Sequence, residues 1–251
     1  MSSAVVIVIP CYNEAHRLKT KEFQAYCAMH QSHQFVFVND GSRDATLTLL
    51  AGLHTEDPQH FTCIDLPTNV GKAEAVRQGL LVAFARNPDF AGYWDADLAT
   101  PLEAIPSFCE LLEVRVDLEM VFGARVRLLG RSIHRSPLRH YCGRAFATAA
   151  SLTLRLPIYD TQCGAKLLRA SPLVQSLFQQ PFSSRWLFDV EIIARLIQTC
   201  QRSHLPPPSA LIYEFPLYAW HDVKGSKVTP YDFFRSVVDL ARIYVKYLNH
   251  S

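Results

Sequence analysis

The sequence predicts an α/β fold on a largely parallel sheet, and three observations carry that prediction. Short apolar runs recur through roughly the first hundred residues, helical patterns separate them, and every run stops at a polar cluster. Strands buried on both faces read as continuous apolar runs, and strand–helix alternation builds a doubly wound sheet.

Taken in order, Ala4–Ile9 reads as a first, fully buried strand, followed by Phe35–Val38, Phe61–Leu66 and Phe90–Trp94. Helical patterns lie between them around Phe23–His30, Ala45–Leu53 and Ala73–Ala85. Another helix is expected over Pro101–Val114 and a strand at Met120–Phe122. The order then loses its regularity. Helices are expected over Leu138–Leu154, Leu187–Gln201 and Pro230–Leu248, with Pro206-Pro207-Pro208 as a turn.

Composition narrows the function. A chain of 251 residues can bury the core of one large α/β domain. Its 49% apolar and 19% charged residues are ordinary for a globular protein. A net charge of +2 and a pI near 8.2 are too mild to bind nucleic acid by field alone, so no nucleic-acid partner is expected. The seven cysteines form no Cys-x-x-Cys pair, which favours reduced thiols in a cytoplasmic setting over disulfides or zinc. No apolar stretch reaches the roughly 18 residues of a membrane span. The opening run is too short for a signal peptide, and Met1-Ser2-Ser3 supplies no basic region.

The strand ends matter more than the strands. Ile9 leads to Pro10-Cys11-Tyr12-Asn13-Glu14, Val38 to Asn39-Asp40-Gly41-Ser42, Leu66 to Asn69-Val70-Gly71-Lys72, and Trp94 to Asp95-Ala96-Asp97. Ligands of open α/β sheets bind at the carboxyl ends of the strands. Each cluster alone is ordinary turn or cap chemistry; the four together predict one crevice. Asp95 and Asp97 can face one hard cation, and such a cation would neutralise a diphosphate.

In this order, these four clusters resemble the signatures of family 2 glycosyltransferases of the GT-A fold. Gly123-Ala124-Arg125, Asp160-Thr161-Gln162-Cys163-Gly164-Ala165-Lys166, Arg185-Trp186 with Phe188-Asp189-Val190-Glu191, and Gly225-Ser226-Lys227 are similar to the dolichyl-phosphate β-glucosyltransferase branch and its mannose synthase relatives. The resemblance runs from about Val5 to Lys227. It implies a Rossmann-like, largely parallel sheet in a single domain, 1–251. Residues 1–100 would form the nucleotide-sugar half, continuous with an acceptor half, 101–251, that ends in an amphipathic helix.

The same resemblance implies inverting transfer of one sugar from a nucleoside diphosphate sugar to a polyprenyl phosphate. Pro10, Tyr12, Asn13, Glu14 and Asp40 would hold base and ribose, with Lys72 and Lys227 near the diphosphate. Asp97 would bind Mg²⁺ or Mn²⁺, with Asp95 on the metal or the sugar. Mannose synthases carry Gln where this chain has Ala99, as glucosyltransferases tend to, which tilts the donor towards UDP-glucose over GDP-mannose.

The acceptor follows from chemistry. A hydroxyl needs a general base, whereas a phosphate monoester is already an anion and needs positive charge to hold it. Arg125, Arg127, Arg131, Arg135, Arg139 and Arg144 supply that charge, and arginine's planar fork suits phosphate. By resemblance Arg125 and one of Arg135 or Arg139 grip the acceptor phosphate, and Gln162 shapes the pocket floor. The alternative is a solvated basic loop. Asp189 is either a helix-start carboxylate or a site-lining base or orienting group. Cys163 reads as a small buried residue, and His221 equally as a loop residue or a ligand.

The last helix places Asp232, Arg235, Asp239, Arg242 and Lys246 on one face, against Phe233, Phe234, Val237, Leu240, Ile243, Tyr244 and Tyr247. It packs on the core or rests peripherally on an anionic membrane at its cytoplasmic face. Three rival readings remain: a family 2 enzyme with a hydroxyl acceptor, a non-catalytic nucleotide-binding module, and a haloacid dehalogenase-type phosphatase with Asp95 as nucleophile and Asp97 as acid. The phosphatase motif wants Thr or Val where Ala99 stands. No dinucleotide or P-loop glycine motif is present.

Overall fold

A computed structural model describes residues 3–134, 137–221 and 230–249, with side chains for all of these except 134, 137–140, 142 and 230–235. The first hundred residues alternate as expected: β1 Val5–Cys11, α1 Thr20–Met29, β2 His33–Asp40, α2 Thr46–Glu56, β3 Phe61–Leu66, α3 Lys72–Phe84, β4 Phe90–Trp94. Then come α4 Ala104–Val114, β5 Met120–Ala124, β6 Ser132–His134, α5 Pro137–Leu154, β7 Ala165–Arg169, α6 Pro172–Ser176 and α7 Phe188–Ser203. The chain closes with α8 Pro208–Leu211, β8 Ile212–Pro216, β9 Ala219–His221, α9 Pro230–Ile243 and a π-helical turn, Tyr244–Leu248.

Seven strands form one sheet in the order β3-β2-β1-β4-β7-β5-β8, and β6 pairs with β9 in a small second sheet. Both faces of the large sheet are covered, which is why β1 is apolar at nearly every position. Val6 and Val8 pack under α3 and α7, while Val5, Ile7 and Ile9 pack against α1 and α4. On α1 the residues that reach this layer are Phe23, Tyr26 and Cys27, at the three- and four-residue spacing of one helix face.

The sheet departs from the expectation at β7, which runs antiparallel to both β4 and β5. Its sequence, Ala165-Lys166-Leu167-Leu168-Arg169, hides a strand because a fully buried lysine breaks the apolar run. Reversal brings the amino end of β7, not its carboxyl end, to the crevice. Strands β6 and β9 are three residues each, too short to show a period. The triple proline is no simple turn, because Pro207 caps and Pro208 opens the short helix α8, a position where proline's missing N–H costs nothing.

The last helix also differs from its expected facing. Leu240 and Ile243 are buried, as a core-packed helix requires, but Asp239 is buried with them, accepting from the Ser184 hydroxyl at 2.7 Å. Val237 is exposed instead. Among the described residues no helix is long and apolar enough to cross a membrane.

Candidate active site

The four polar strand ends do converge. Register puts Pro10 beside Val38, Asn39 beside Asp65 and Trp94 beside Ala165, so the ends of β1 to β4 and the start of β7 share one rim. The loops are knitted together: the Asn13 N–H donates to Ser42 Oγ at 3.0 Å, and the Arg43 N–H to Asn13 Oδ1 at 2.8 Å. Asn13 has φ 50°, a left-handed conformation asparagine tolerates well. Pro10 and Tyr12 sit half-buried on the same rim.

Two carboxylates expected to meet the nucleotide are already engaged. Glu14 is gripped by both forks of Arg17, at 2.8 and 2.5 Å. Asp40 is buried and accepts the Val70 and Gly71 amides at 2.7 and 2.9 Å, clamping the loop that opens α3. Arg185 fastens the same loop from outside through the Asn69 carbonyl and side chain, at 3.1 and 2.9 Å.

That loop aims Lys72. Its ammonium donates to Asp95 Oδ1 at 2.5 Å. Burial alone would lower its pKa, but Asp95, Asp189 and Asp97 outweigh burial and raise it. Asp95 is held from the other side by β7: its N–H donates to the Gly164 carbonyl at 2.9 Å. A Cβ at Gly164 would lie 1.9 Å from Asp95 Oδ2, so only glycine allows this approach. Asp97 accepts from the Ala99 N–H at 3.1 Å. Burial, then the neighbouring Asp95, push its carboxyl pKa up. Such a carboxylate is short of positive charge.

No group of three or more His, Cys, Asp or Glu side chains with metal-binding geometry occurs among the described residues. Two carboxylates nevertheless suit a cation that takes one or two protein ligands and fills its remaining positions with diphosphate oxygens and water. The upward shift of Asp97 is what such a cation would relieve.

In the second half of the chain, two ion pairs engage residues predicted for the site. Arg125 forks onto Asp160 at 2.6 and 2.8 Å and lies 5.3 Å from the centre of the Trp220 ring. Burial opposes its charge, and Asp160 overcomes this and raises its pKa. Asp189 accepts from Lys166 Nζ at 2.6 Å and, in a very short bond, from the Tyr93 hydroxyl. Lys166 is fully buried and also donates to the Thr161 and Cys163 carbonyls, at 3.1 and 2.6 Å. Thr161 Oγ1 and Gln162 Nε2 are buried without a hydrogen-bond partner, beside a cavity lined by Arg125, Arg144, Phe146 and Tyr159. Burial pushes the Cys163 thiol up to about 11, which makes it a poor nucleophile.

Arg135 and Lys227 lie outside the described residues, and Arg139 is described only as backbone within α5. His221 proves to be a strand residue whose N–H donates to the Ala99 carbonyl at 2.9 Å, bracing the turn after Asp97. Sequence reasoning gave no role to Arg17, Lys166, Arg185, Asp160 or Trp220. Their side-chain partners lie far along the chain, except for the Arg17–Glu14 pair, which is spaced as on a helix turn.

Comparison with known proteins agrees with this geometry. A family model for glycosyl transferase family 2 matches residues 6–175. The chain is 30% identical to a dolichyl-phosphate beta-glucosyltransferase of Drosophila melanogaster, over 96% of this chain and 74% of that one. It is 28% identical to the enzyme of the same name from Saccharomyces cerevisiae, over 96% and 74%. Among solved structures, glucosyl-3-phosphoglycerate synthase of Mycobacterium tuberculosis, with Mn²⁺ and UDP-glucose bound, superimposes with a TM-score of 0.66 at 16% identity, over 97% and 80% of the two chains. The shared fold is GT-A.

Proposed function

The chain belongs to glycosyl transferase family 2, and from that premise we propose inverting, metal-dependent transfer of one glucose from UDP-glucose to a polyprenyl phosphate of the dolichyl type. Family membership displaces the phosphatase and non-catalytic readings. The donor is supported by Ala99 and by the relatives' names.

The observation that carries the acceptor is the state of Asp189. A carboxylate positioned for activating a hydroxyl should be free to take a proton, yet this one is neutralised by a fully buried ammonium and a tyrosine hydroxyl. That suits a nucleophile already charged before it arrives. An acceptor phosphate oxygen attacks the anomeric carbon, the bond from that carbon to the diphosphate breaks, and the negative charge passes to UDP. No proton moves.

In this reading Pro10, Tyr12, Asn13, Glu14 and Asp40 frame the uridine, with Glu14 and Asp40 acting through the loops they hold. Lys72 and Lys227 face the diphosphate, and Lys72 keeps Asp95 fixed. Asp97, with Asp95, would hold Mg²⁺ or Mn²⁺. The cation supplies positive charge to the leaving diphosphate. Arg125, with Arg135 or Arg139, and Gln162 hold the acceptor phosphate. The unpartnered Gln162 amide offers it a neutral donor.

The test offers UDP-glucose and GDP-mannose, with either metal, to a short polyprenyl phosphate. Glucose transfer from UDP-glucose is expected. Transfer only from GDP-mannose would overturn the donor, and transfer to a hydroxyl acceptor alone would overturn the acceptor.

A further inference from the structure

The loop that carries Lys72 is held from two directions. On the β2 side Asp40 accepts the Val70 and Gly71 amides, and its carbonyl accepts the Asn69 side-chain amide at 3.2 Å. From the segment just before α7, Arg185 takes the two ends of the loop. Its Nη2 donates to the Asn69 carbonyl and to Asn69 Oδ1, at 3.1 and 2.9 Å, across 116 positions of sequence. Its own carbonyl accepts the Ala73 N–H at 3.3 Å. Ala73 lies in the first turn of α3, where a helix leaves N–H groups without internal partners. Gly71, at the N-cap, has no side chain to offer one. The Arg185 side chain also lies against Gly71, where an added Cβ would meet Nε at 2.7 Å. Lys72 thus stands between two residues tied to Arg185.

Arg185 rises from a fixed base. The buried Ser184 hydroxyl donates to Asp239 of the last helix at 2.7 Å and accepts the Trp186 and Leu187 N–H groups at 3.2 and 2.8 Å. The Ser183 and Ser184 amides donate to the fully buried Glu191, at 2.8 and 3.2 Å. Glu191 in turn is held by Arg195 at 2.9 Å and by the Tyr247 hydroxyl at 2.7 Å. Arg185 itself is exposed, and an exposed arginine adds little to folding. A rigid base beneath a side chain of small folding value is what placing another group requires.

We propose that Arg185 is a positioning residue for sugar transfer, holding the Asn69–Ala73 loop so that Lys72 keeps its reach to Asp95. Productive geometry tolerates displacements of only about 0.5 Å. A loop held by Asp40 alone could turn about its β2 end and carry the lysine away. The assignment rests on the reading that puts Lys72 at the donor diphosphate.

Arg185→Ala is compared with the wild-type chain in two measurements. In the ligand-free protein, limiting acetic anhydride labels the lysines, and Lys72 is read against the exposed Lys19 by mass spectrometry. An amine released from Asp95 loses its proton more readily, so relative labelling of Lys72 should rise at least about threefold, with Tm within about 2 °C. In turnover with UDP-glucose and a short polyprenyl phosphate, kcat should fall at least about tenfold. A Lys72→Met background separates positioning from general loosening of the fold, because there Arg185→Ala should cost no further kcat. Unchanged labelling, unchanged kcat, or the same loss of kcat with and without Lys72 overturns the role. If labelling rises as expected but even the wild-type chain transfers no glucose, the donor reading fails and the hold of Arg185 on Lys72 stands.

Discussion

Asp97 carries its charge in the crevice at a cost, and that cost has a measurable sign. Its folded pKa is raised, so the folded state binds its proton more readily than the unfolded state, and ionisation above pH 3.8 costs stability. Asp97→Asn should therefore leave the Tm of the ligand-free protein equal or higher while turnover falls about a thousandfold. A lower Tm, or retained turnover, would refute this account. Lys166 makes the opposite case. Lys166→Met strands Asp189 as a buried charge and should cost about 3–5 kcal/mol, read by denaturant unfolding. Adding Asp189→Leu should recover most of that stability but not activity, since the Thr161–Cys163 turn stays unstapled. Recovery of both would reduce the pair to packing.

At the scale of elements, what was legible followed local pattern. Phe61–Leu66 and Phe90–Trp94 were bounded correctly because each begins and ends on a buried apolar residue between turn residues. The carboxyl-end clusters were legible because strand direction in a parallel sheet is uniform. Strand β7 was not, because Lys166 interrupts it and its direction is set by partners elsewhere in the chain. The same distance hid the state of the predicted site residues: nothing near Arg125 announces Asp160, nor anything near Asp189 its lysine. The β4–β7 seam depends on Gly164, so Gly164→Ala should push Asp95 aside. Turnover should fall about a hundredfold while uridine affinity, which the proposed function assigns to the β1 and β2 loops, stays within about threefold. Equal loss of both would mean the whole rim had moved.

The whole molecule is sensitive to acid through a group outside the crevice. His33, hydrogen-bonded to Tyr26 and stacked on His30, is held down at about 4 from an ordinary 6.5, first by burial and then by His30, with Glu113 opposing. The unfolded chain takes up this proton first as pH falls. Stability from His33 is thus complete above pH 6.5 and lost between 6.5 and about 4, by roughly 3 kcal/mol. His33→Gln should flatten that slope in unfolding curves; an unchanged slope would assign it to other groups.

The reversed strand also sets an order of assembly. Strands β1 to β3 pair across single helical crossovers, whereas β4 closes on β1, and β7 on β4, from far along the chain. A chain emerging from the ribosome presents the first four strands before β7 has been made. The far wall of the crevice arrives last, and until it does, Asp95 has no partner for its backbone N–H in Gly164. Asp95 thus waits on completion of the fold, and a half-made chain has the β1 and β2 loops of the rim but no closed crevice.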